Sequence, residues 1–302
     1  TVVYFFCQAK DGIRDLVRSR GLGDVYKRQG DLLITASDDK TLRLWTLDDG
    51  NLSKTLRIPI GEGEEGRLYA AALSPDGQWI AAGGATKAGS EGPGNYHLYL
   101  FDRVSGELRQ HLLGLPNVIN HLCFSRDGGY LAASLGGYGS RVWATDGWRQ
   151  VASDSDYGDA SHWCDFDAKD RLVTSSLDGR IRLYDGQFHL AAKRAAPGGK
   201  EPFAVAFSPD GNYVLTGSYD QTAKLWDAKH IEARFPLQTM KCDGNAVTFS
   251  PSGDTLLVSH DNRFYLYYNQ AALAKKKIMA PLACLLYTSP SPRDRTRSRM
   301  PS

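Results

Sequence analysis

Apolar and aromatic residues recur along this chain in short runs bounded by turn-forming residues, Phe203-Ala204-Val205-Ala206-Phe207 and Tyr213-Val214-Leu215-Thr216 among them. Runs this short, flanked by Gly, Pro, Asp and Ser, predict β-strands and not helices. An apolar–aromatic pair returns as Leu44-Trp45, Leu100-Phe101, Val142-Trp143, Leu183-Tyr184, Leu225-Trp226 and Leu266-Tyr267, its aromatics 56, 42, 41, 42 and 41 residues apart. Turn signals precede most of these pairs: Ser74-Pro75-Asp76-Gly77, Ser125-Arg126-Asp127-Gly128, Ser208-Pro209-Asp210-Gly211 and Ser250-Pro251-Ser252-Gly253. Asp167-Ala168-Lys169-Asp170 takes that place in the fourth repeat. A period sustained over six copies predicts a repeat architecture.

Within each repeat the pattern predicts four antiparallel strands. Strand a ends at the Ser-Pro-Asp-Gly turn, where Pro presets φ and Gly supplies the positive φ of a tight hairpin. Strand b leads to a second turn, centred on an aspartate six residues before the aromatic: Asp39, Asp178, Asp220 and Asp261. A carboxylate there can accept from local backbone N–H groups. Gly137 holds that place in the third repeat and Asn95 in the second. Strand c carries the aromatic and strand d leads onward. A lone sheet cannot bury both faces, so the repeats are expected to stack radially.

The motif Ser-x-Asp-x-Thr-x-x-Leu-Trp-Asp, best kept from Ser218 to Asp227, resembles the WD-repeat family, in a bacterial style, over nearly all of residues 30–283. The resemblance implies an all-β, WD-type β-propeller with about six recognisable blades. The Gly-His pair common in such repeats is missing, which leaves the family's Asp–His hydrogen-bonded network without its histidine. The first recognisable repeat enters at strand b, Leu32-Leu33-Ile34, without a strand a. The expectation is a truncated fragment, not natively closed, whose gene continues upstream and whose open strand edges favour aggregation.

The ends read differently. Ser19–Gln29, back-translated, reverse-complemented and read one base out of frame, yields the residues from Cys284 to Arg293; Asp11–Asp15 likewise yields Ser298–Ser302. These segments resemble the translated adaptors of transposase-based sequencing libraries, so residues 1–29 and 284–302 are assigned to artefactual tails. They hold ten of the 36 basic and four of the 34 acidic residues, leaving 26 basic against 30 acidic between them. The arginine-rich C-terminus therefore carries no nucleic-acid or membrane reading.

Candidate chemistry is sparse. Gly61-Glu62-Gly63-Glu64-Glu65-Gly66 fits a phosphate-cradle spacing, but its glutamates and the strand that follows argue for an inter-blade loop. His121/Cys123 and His162/Cys164 resemble metal-ligand pairs. Aligned on Phe124 and Phe166 they are one residue out of register, which sends them to opposite sheet faces and favours packed, buried cysteines. Asp154, Asp156 and Asp159 lack the spacing of a calcium loop. Asn51-Leu52-Ser53 is a glycosylation sequon without a secretion signal. Lys275–Lys277 reads as a charge-protected strand edge, and the stretch Thr86–Asn95 as a flexible loop. Five cysteines without a CxxC, and no long apolar span, point to a cytoplasmic chain. No catalytic residue, cofactor or metal is expected.

The function expected is a non-catalytic protein-interaction scaffold. Its protein or peptide partner would sit where the loops between strands d and a crowd one rim, near Arg67, Asn117, Tyr157, His162, Lys200, Phe203 and Asn245. The alternative is the sensor or recruitment region of a larger bacterial signalling enzyme, a peptidase or kinase, whose catalytic domain lies outside this fragment.

Overall fold

The computed structural model describes residues 3–4, 22–27, 32–59, 66–86, 95–196, 201–231, 236–241, 246–260, 263–271 and 285–287. These residues form six antiparallel sheets, each a meander in strict chain order. The first holds β1 (Val3–Tyr4), β2 (Leu22–Lys27), β3 (Leu32–Ser37), β4 (Thr41–Thr46) and β5 (Leu52–Arg57). The second holds β6 (Arg67–Leu73), β7 (Trp79–Ala85), β8 (Tyr96–Asp102) and β9 (Leu108–Leu115). The third holds β10 (Ile119–Phe124), β11 (Tyr130–Leu135), β12 (Ser140–Ala144) and β13 (Arg149–Asp154). The fourth holds β14 (Ser161–Phe166), β15 (Leu172–Ser176), β16 (Arg180–Tyr184) and β17 (Leu190–Ala195). The fifth holds β18 (Pro202–Phe207), β19 (Tyr213–Ser218), β20 (Thr222–Asp227) and β21 (Gln238–Lys241). The sixth holds β22 (Val247–Phe249), β23 (Thr255–His260), β24 (Arg263–Tyr268) and β25 (Leu285–Tyr287).

The apolar–aromatic pairs fall on the third strand of each four-stranded meander and on β4 of the five-stranded first sheet, where β1 is an additional strand ahead of the repeat. The first repeat differs from the expectation that it begins at its second strand. Main-chain pairing of β2 with β3, Tyr26 opposite Ile34, fills the inner position. Backbone N–H and C=O groups suffice for such a ladder, so the hydrophobic pattern does not foreshadow it.

Turn chemistry closes each hairpin. In the second sheet Gly77 N–H donates to Ser74 O at 2.9 Å and Trp79 N–H to Ser74 Oγ at 2.8 Å, with Gly77 at φ 71°. In the fourth, Asp167 replaces the serine: its Oδ1 accepts from Lys169 and Arg171 N–H groups, and Asp170 takes φ 59° where glycine stands elsewhere. At the second turn, Asp39, Asp178 and Asp220 accept from the N–H groups of Thr41, Arg180 and Thr222, as their spacing predicts. Asp261 lies outside the described residues. The side chain four positions on completes each acid: Arg43, Arg182 and Lys224. These basic partners occupy the carboxylates in a fold that lacks the expected histidine.

Neighbouring sheets meet along their inner strands, in the succession β2, β6, β10, β14, β18, β22. Small residues let these strands converge: Ala70, Ala71 and Ala72 on β6, and Ala204 and Ala206 on β18, are all buried. The Ile119 side chain rests on Gly83, where a Cβ would come within 2.6 Å of it. The fourth strands lie outermost and expose most of their residues, as in β5 and β17. The series is not closed. β1 lies against β22, and among the described residues β2 makes no contact with β22 as extensive as those between the other neighbours. No helix among the described residues is long and apolar enough to cross a membrane.

Candidate functional site

The innermost strands share an irregularity. Their ladders slip by one residue between Leu68 and Ala70, Ile119 and His121, Ser161 and Trp163, and Pro202 and Ala204. The extra residues are Tyr69, Asn120, His162 and Phe203, each half-buried. A bulge leaves its extra residue outside the ladder and re-aims that side chain. Each stands four residues before the end of its strand, so four consecutive blades present a bulged residue at the same end of the inner strand.

Hydrogen bonds between blades fix this end. Asn120 Nδ2 donates to Ser161 O at 2.9 Å, joining the third blade to the fourth. Ser175 Oγ donates to Phe203 O at 2.6 Å, joining the fourth to the fifth. The His162 ring lies 4.4 Å from the Phe203 ring, and Phe203 meets Tyr219 edge-on at 5.4 Å. Tyr219, in the turn between β19 and β20, is 47% exposed. Burial holds the His162 imidazole below its ordinary pKa against the opposing pull of Asp159, so it stacks as the neutral ring. The three rings form an accessible aromatic ledge.

The seven residues singled out in the sequence divide. His162 and Phe203 come together in this ledge. Arg67 opens β6, two residues before the bulged Tyr69. Asn117 precedes β10, and its Oδ1 accepts from Val118 N–H at 2.8 Å. Tyr157 turns its hydroxyl inward, 2.7 Å from Thr174 Oγ1 and 2.8 Å from Tyr184 OH, while Tyr184 donates to Asp154 Oδ2 at 2.6 Å. Its ring carries the Arg182 guanidinium 3.7 Å from the centroid and rests against Gly139. That side chain supports the junction of the third and fourth blades. Lys200 and Asn245 lie outside the described residues, as do residues 61–65, 87–94 and 275–277 of the loops and basic run noted above. The sequence reading missed Tyr69, Asn120 and Tyr219. The first two could have been found by counting four residues back from the end of strand a.

The two His/Cys pairs behave unexpectedly. Phe124 and Phe166 are structurally equivalent, so Cys123 corresponds to Asp165 and Cys164 to Leu122, one residue out of register. Cys123 and Cys164 do point to opposite faces of their own sheets. Opposite faces of adjacent blades are the ones that meet, so the register slip unites the thiols: Cys123 Sγ and Cys164 Sγ are 3.1 Å apart. His121 joins them, with Nδ1 3.4 Å from Cys164 Sγ and its ring stacked 4.1 Å from Trp163. His162, the histidine of the second pair, lies in the ledge instead. Burial raises the Cys164 thiol pKa, but hydrogen bonding from Cys123 and the adjacent His121 prevail and hold it below the ordinary thiol range. Asp165 faces the other way, its Oδ2 accepting from Phe207 N–H at 2.7 Å in the fifth blade.

Asp154, Asp156 and Asp159 are engaged separately. Asp154 accepts from Tyr184, Asp156 pairs with Lys193 at 2.6 Å, and Asp159 accepts from Ala160 N–H at 2.7 Å. Nothing draws the three carboxylates to one point.

Residues 10–46 and 198–227 match the family model described as WD domain, G-beta repeat; the first stretch takes in residues 10–29, assigned in the sequence to the adaptor-like tail. The chain is similar to WD repeat and SOCS box-containing protein 1 of Homo sapiens, 47% identical over 58 residues, which cover 19% of this chain and 13% of that protein. It is 35% identical over 74 residues to WD repeat-containing protein 1 of Rattus norvegicus, covering 22% and 12%. A longer match, 26% identical over 198 residues, is to nuclear distribution protein PAC1 of Coccidioides posadasii (strain C735), covering 66% and 35%. The chain spans about a third or less of the length of these relatives. With the six meanders, these matches identify the architecture as an all-β series of WD-type propeller blades.

Proposed function

We propose that the chain is a non-catalytic protein-interaction scaffold whose partner lies across the bulged end of the inner strands. The observation that carries this reading is the aromatic ledge of His162, Phe203 and Tyr219, half-buried or exposed on a rigid sheet framework. Aromatic anchors on such a framework lose little conformational freedom on binding and dominate interface energies. Tyr69 and Asn120 extend the surface to the second and third blades, and Arg67 and Asn117 flank it. The relatives, named for their WD repeats, agree with a role in recognition and not in catalysis.

Peptides selected from a random display library against the full chain, with affinities measured by fluorescence anisotropy, test this. Phe203→Ala with Tyr219→Ala is expected to weaken the selected peptides about 30-fold, the scale of an aromatic hot spot. Phe203 also packs on the core, so Tyr219→Ala alone, at the exposed edge of the ledge, is the variant expected to weaken binding at an unchanged melting temperature. Peptides that bind the double variant as tightly as the parent would place the interaction elsewhere.

A further inference from the structure

We propose that His121, Cys123 and Cys164 form a zinc-binding site that staples the third blade to the fourth. The inference is independent of the rim and rests on side chains that face each other between the sheets. All three residues are buried, and their ligand atoms lie within 4.8 Å of one another. Neither cysteine is in a disulfide.

The donor set is that of a thiophilic d¹⁰ cation. Two thiolates neutralise the charge of Zn²⁺ and a neutral imidazole supplies the third ligand. His121 Nδ1 lies 3.4 Å from both Cys164 Sγ and the Cys164 N–H that it accepts from, so ligation exchanges this long hydrogen bond for the metal, while stacking on Trp163 sets the ring plane. With Zn–S near 2.3 Å and Zn–N near 2.0–2.1 Å, tetrahedral ligands stand roughly 3.5–3.8 Å apart. The sulfurs, 3.1 Å apart, reach this by opening about 0.7 Å, and Nδ1 to Cys164 Sγ, at 3.4 Å, by about 0.1–0.2 Å. The fourth position falls to Ser134. It is the cross-strand partner of His121, is wholly buried, and its hydroxyl faces the Cys164 thiol. A hydroxyl already placed beside a ligand sulfur can fill the fourth position of the tetrahedron. Four positions filled from within give a closed, structural centre.

Co²⁺ titration of the reduced, metal-free full chain tests the proposal. The expected result is thiolate-to-cobalt charge-transfer absorption and the intense visible bands of tetrahedral cobalt, saturating at one equivalent and bleached by Zn²⁺. Cys164→Ser and His121→Ala are expected to abolish the charge-transfer signal or to lower affinity at least 100-fold. The triple variant Cys7→Ser, Cys242→Ser, Cys284→Ser is expected to keep the signal intact. Zinc should also raise the melting temperature of the parent but not of Cys164→Ser. A correctly folded, reduced parent that gives no such spectrum overturns the proposal. So does isolation with Cys123 and Cys164 joined in a disulfide that re-forms in the presence of zinc, or a signal lost in the triple variant. If the single variants fail to fold, the parent spectrum and the triple variant decide.

Discussion

The same acid–base pair occurs in three blades at three depths, and its energetic weight should follow the depth. Asp39–Arg43 is the shallowest, with Arg43 25% and Asp39 43% exposed. Asp220–Lys224 is intermediate, with Lys224 10% and Asp220 19% exposed. Asp178–Arg182, at 2.5 Å, is buried, with Arg182 1% and Asp178 4% exposed. Substituting Asn for each aspartate retains the Oδ1 that accepts from Thr41, Thr222 or Arg180 N–H, so the turn survives; the charge is lost in all three, and at Asp178 the Oδ2 that accepts from Gly158 N–H is lost with it. Asp178→Asn leaves a guanidinium inside the blade interface with the Asp156 carbonyl, at 2.6 Å, and the Tyr157 ring as neutral partners. Stranding one member of a buried pair costs about 3–5 kcal/mol, whereas an exposed pair is worth about 0.2–1 kcal/mol. The order expected is Asp178→Asn, then Asp220→Asn, then Asp39→Asn. For a chain of this size each kcal/mol moves the melting temperature by about 2–4 °C, so the first variant should melt roughly 6–20 °C below the parent. Differential scanning fluorimetry at neutral pH reads the series directly. In 1 M salt only the Asp39→Asn difference should shrink, because screening reaches exposed charges. Adding Arg182→Met to Asp178→Asn should recover most of the loss, since an apolar side chain of similar length carries no stranded charge. Three losses within about 1 kcal/mol of one another, on the scale of an exposed pair, would refute the link between burial and weight.

Three other outcomes follow from the packing. Trp226→Phe removes the donation of Nε1 to Thr216 Oγ1 at 3.0 Å and should cost about 1 kcal/mol, while Trp226→Ala should cost about 3–5 kcal/mol, both read from urea midpoints. Gly84→Ala places a Cβ 2.1 Å from Arg67 O, backbone that cannot step aside, so the variant should give rapid tryptic cleavage in the second blade where the parent resists. The turn carboxylates set an acid limit. At Asp178 and Asp220 burial raises the pKa, but hydrogen bonds from Arg182 and Lys224 prevail and leave it below the ordinary value. A depressed folded pKa gives stability that is complete above the unfolded value, about 3.9, and lost as pH falls through the lower folded one. Protonation should therefore lower the parent's urea midpoint relative to that of Asp220→Asn as pH falls below about 4.

The period was legible because the strand-c aromatics and the Ser-Pro-Asp-Gly turns are local signals, each carried by a few adjacent residues. The bulges were not, because an extra residue leaves apolar alternation intact on either side and betrays itself only in the pairing partner. His162 and Phe203 were found by their position near the expected loops, and Tyr157 by the same rule. Its inward hydroxyl depends on Thr174 and Tyr184, which are distant in sequence. The thiol cluster was missed for a geometric reason. Alternation describes the two faces of one sheet, whereas Cys123 and Cys164 meet across two sheets, where opposite faces become neighbours. The same reasoning that separates residues within a blade joins them between blades.

The bulged positions separate recognition from architecture. Tyr69, Asn120, His162 and Phe203 donate no side chain to the regular ladder, so a mutation there leaves strand register largely as it was, although Asn120 also ties the third blade to the fourth through Ser161 O. Four consecutive blades thus carry one site each at which evolution can vary the binding vocabulary without shifting strand register, and the repertoire of surfaces grows as the product of the choices at those four. A lineage can change what it holds without renegotiating how it stands.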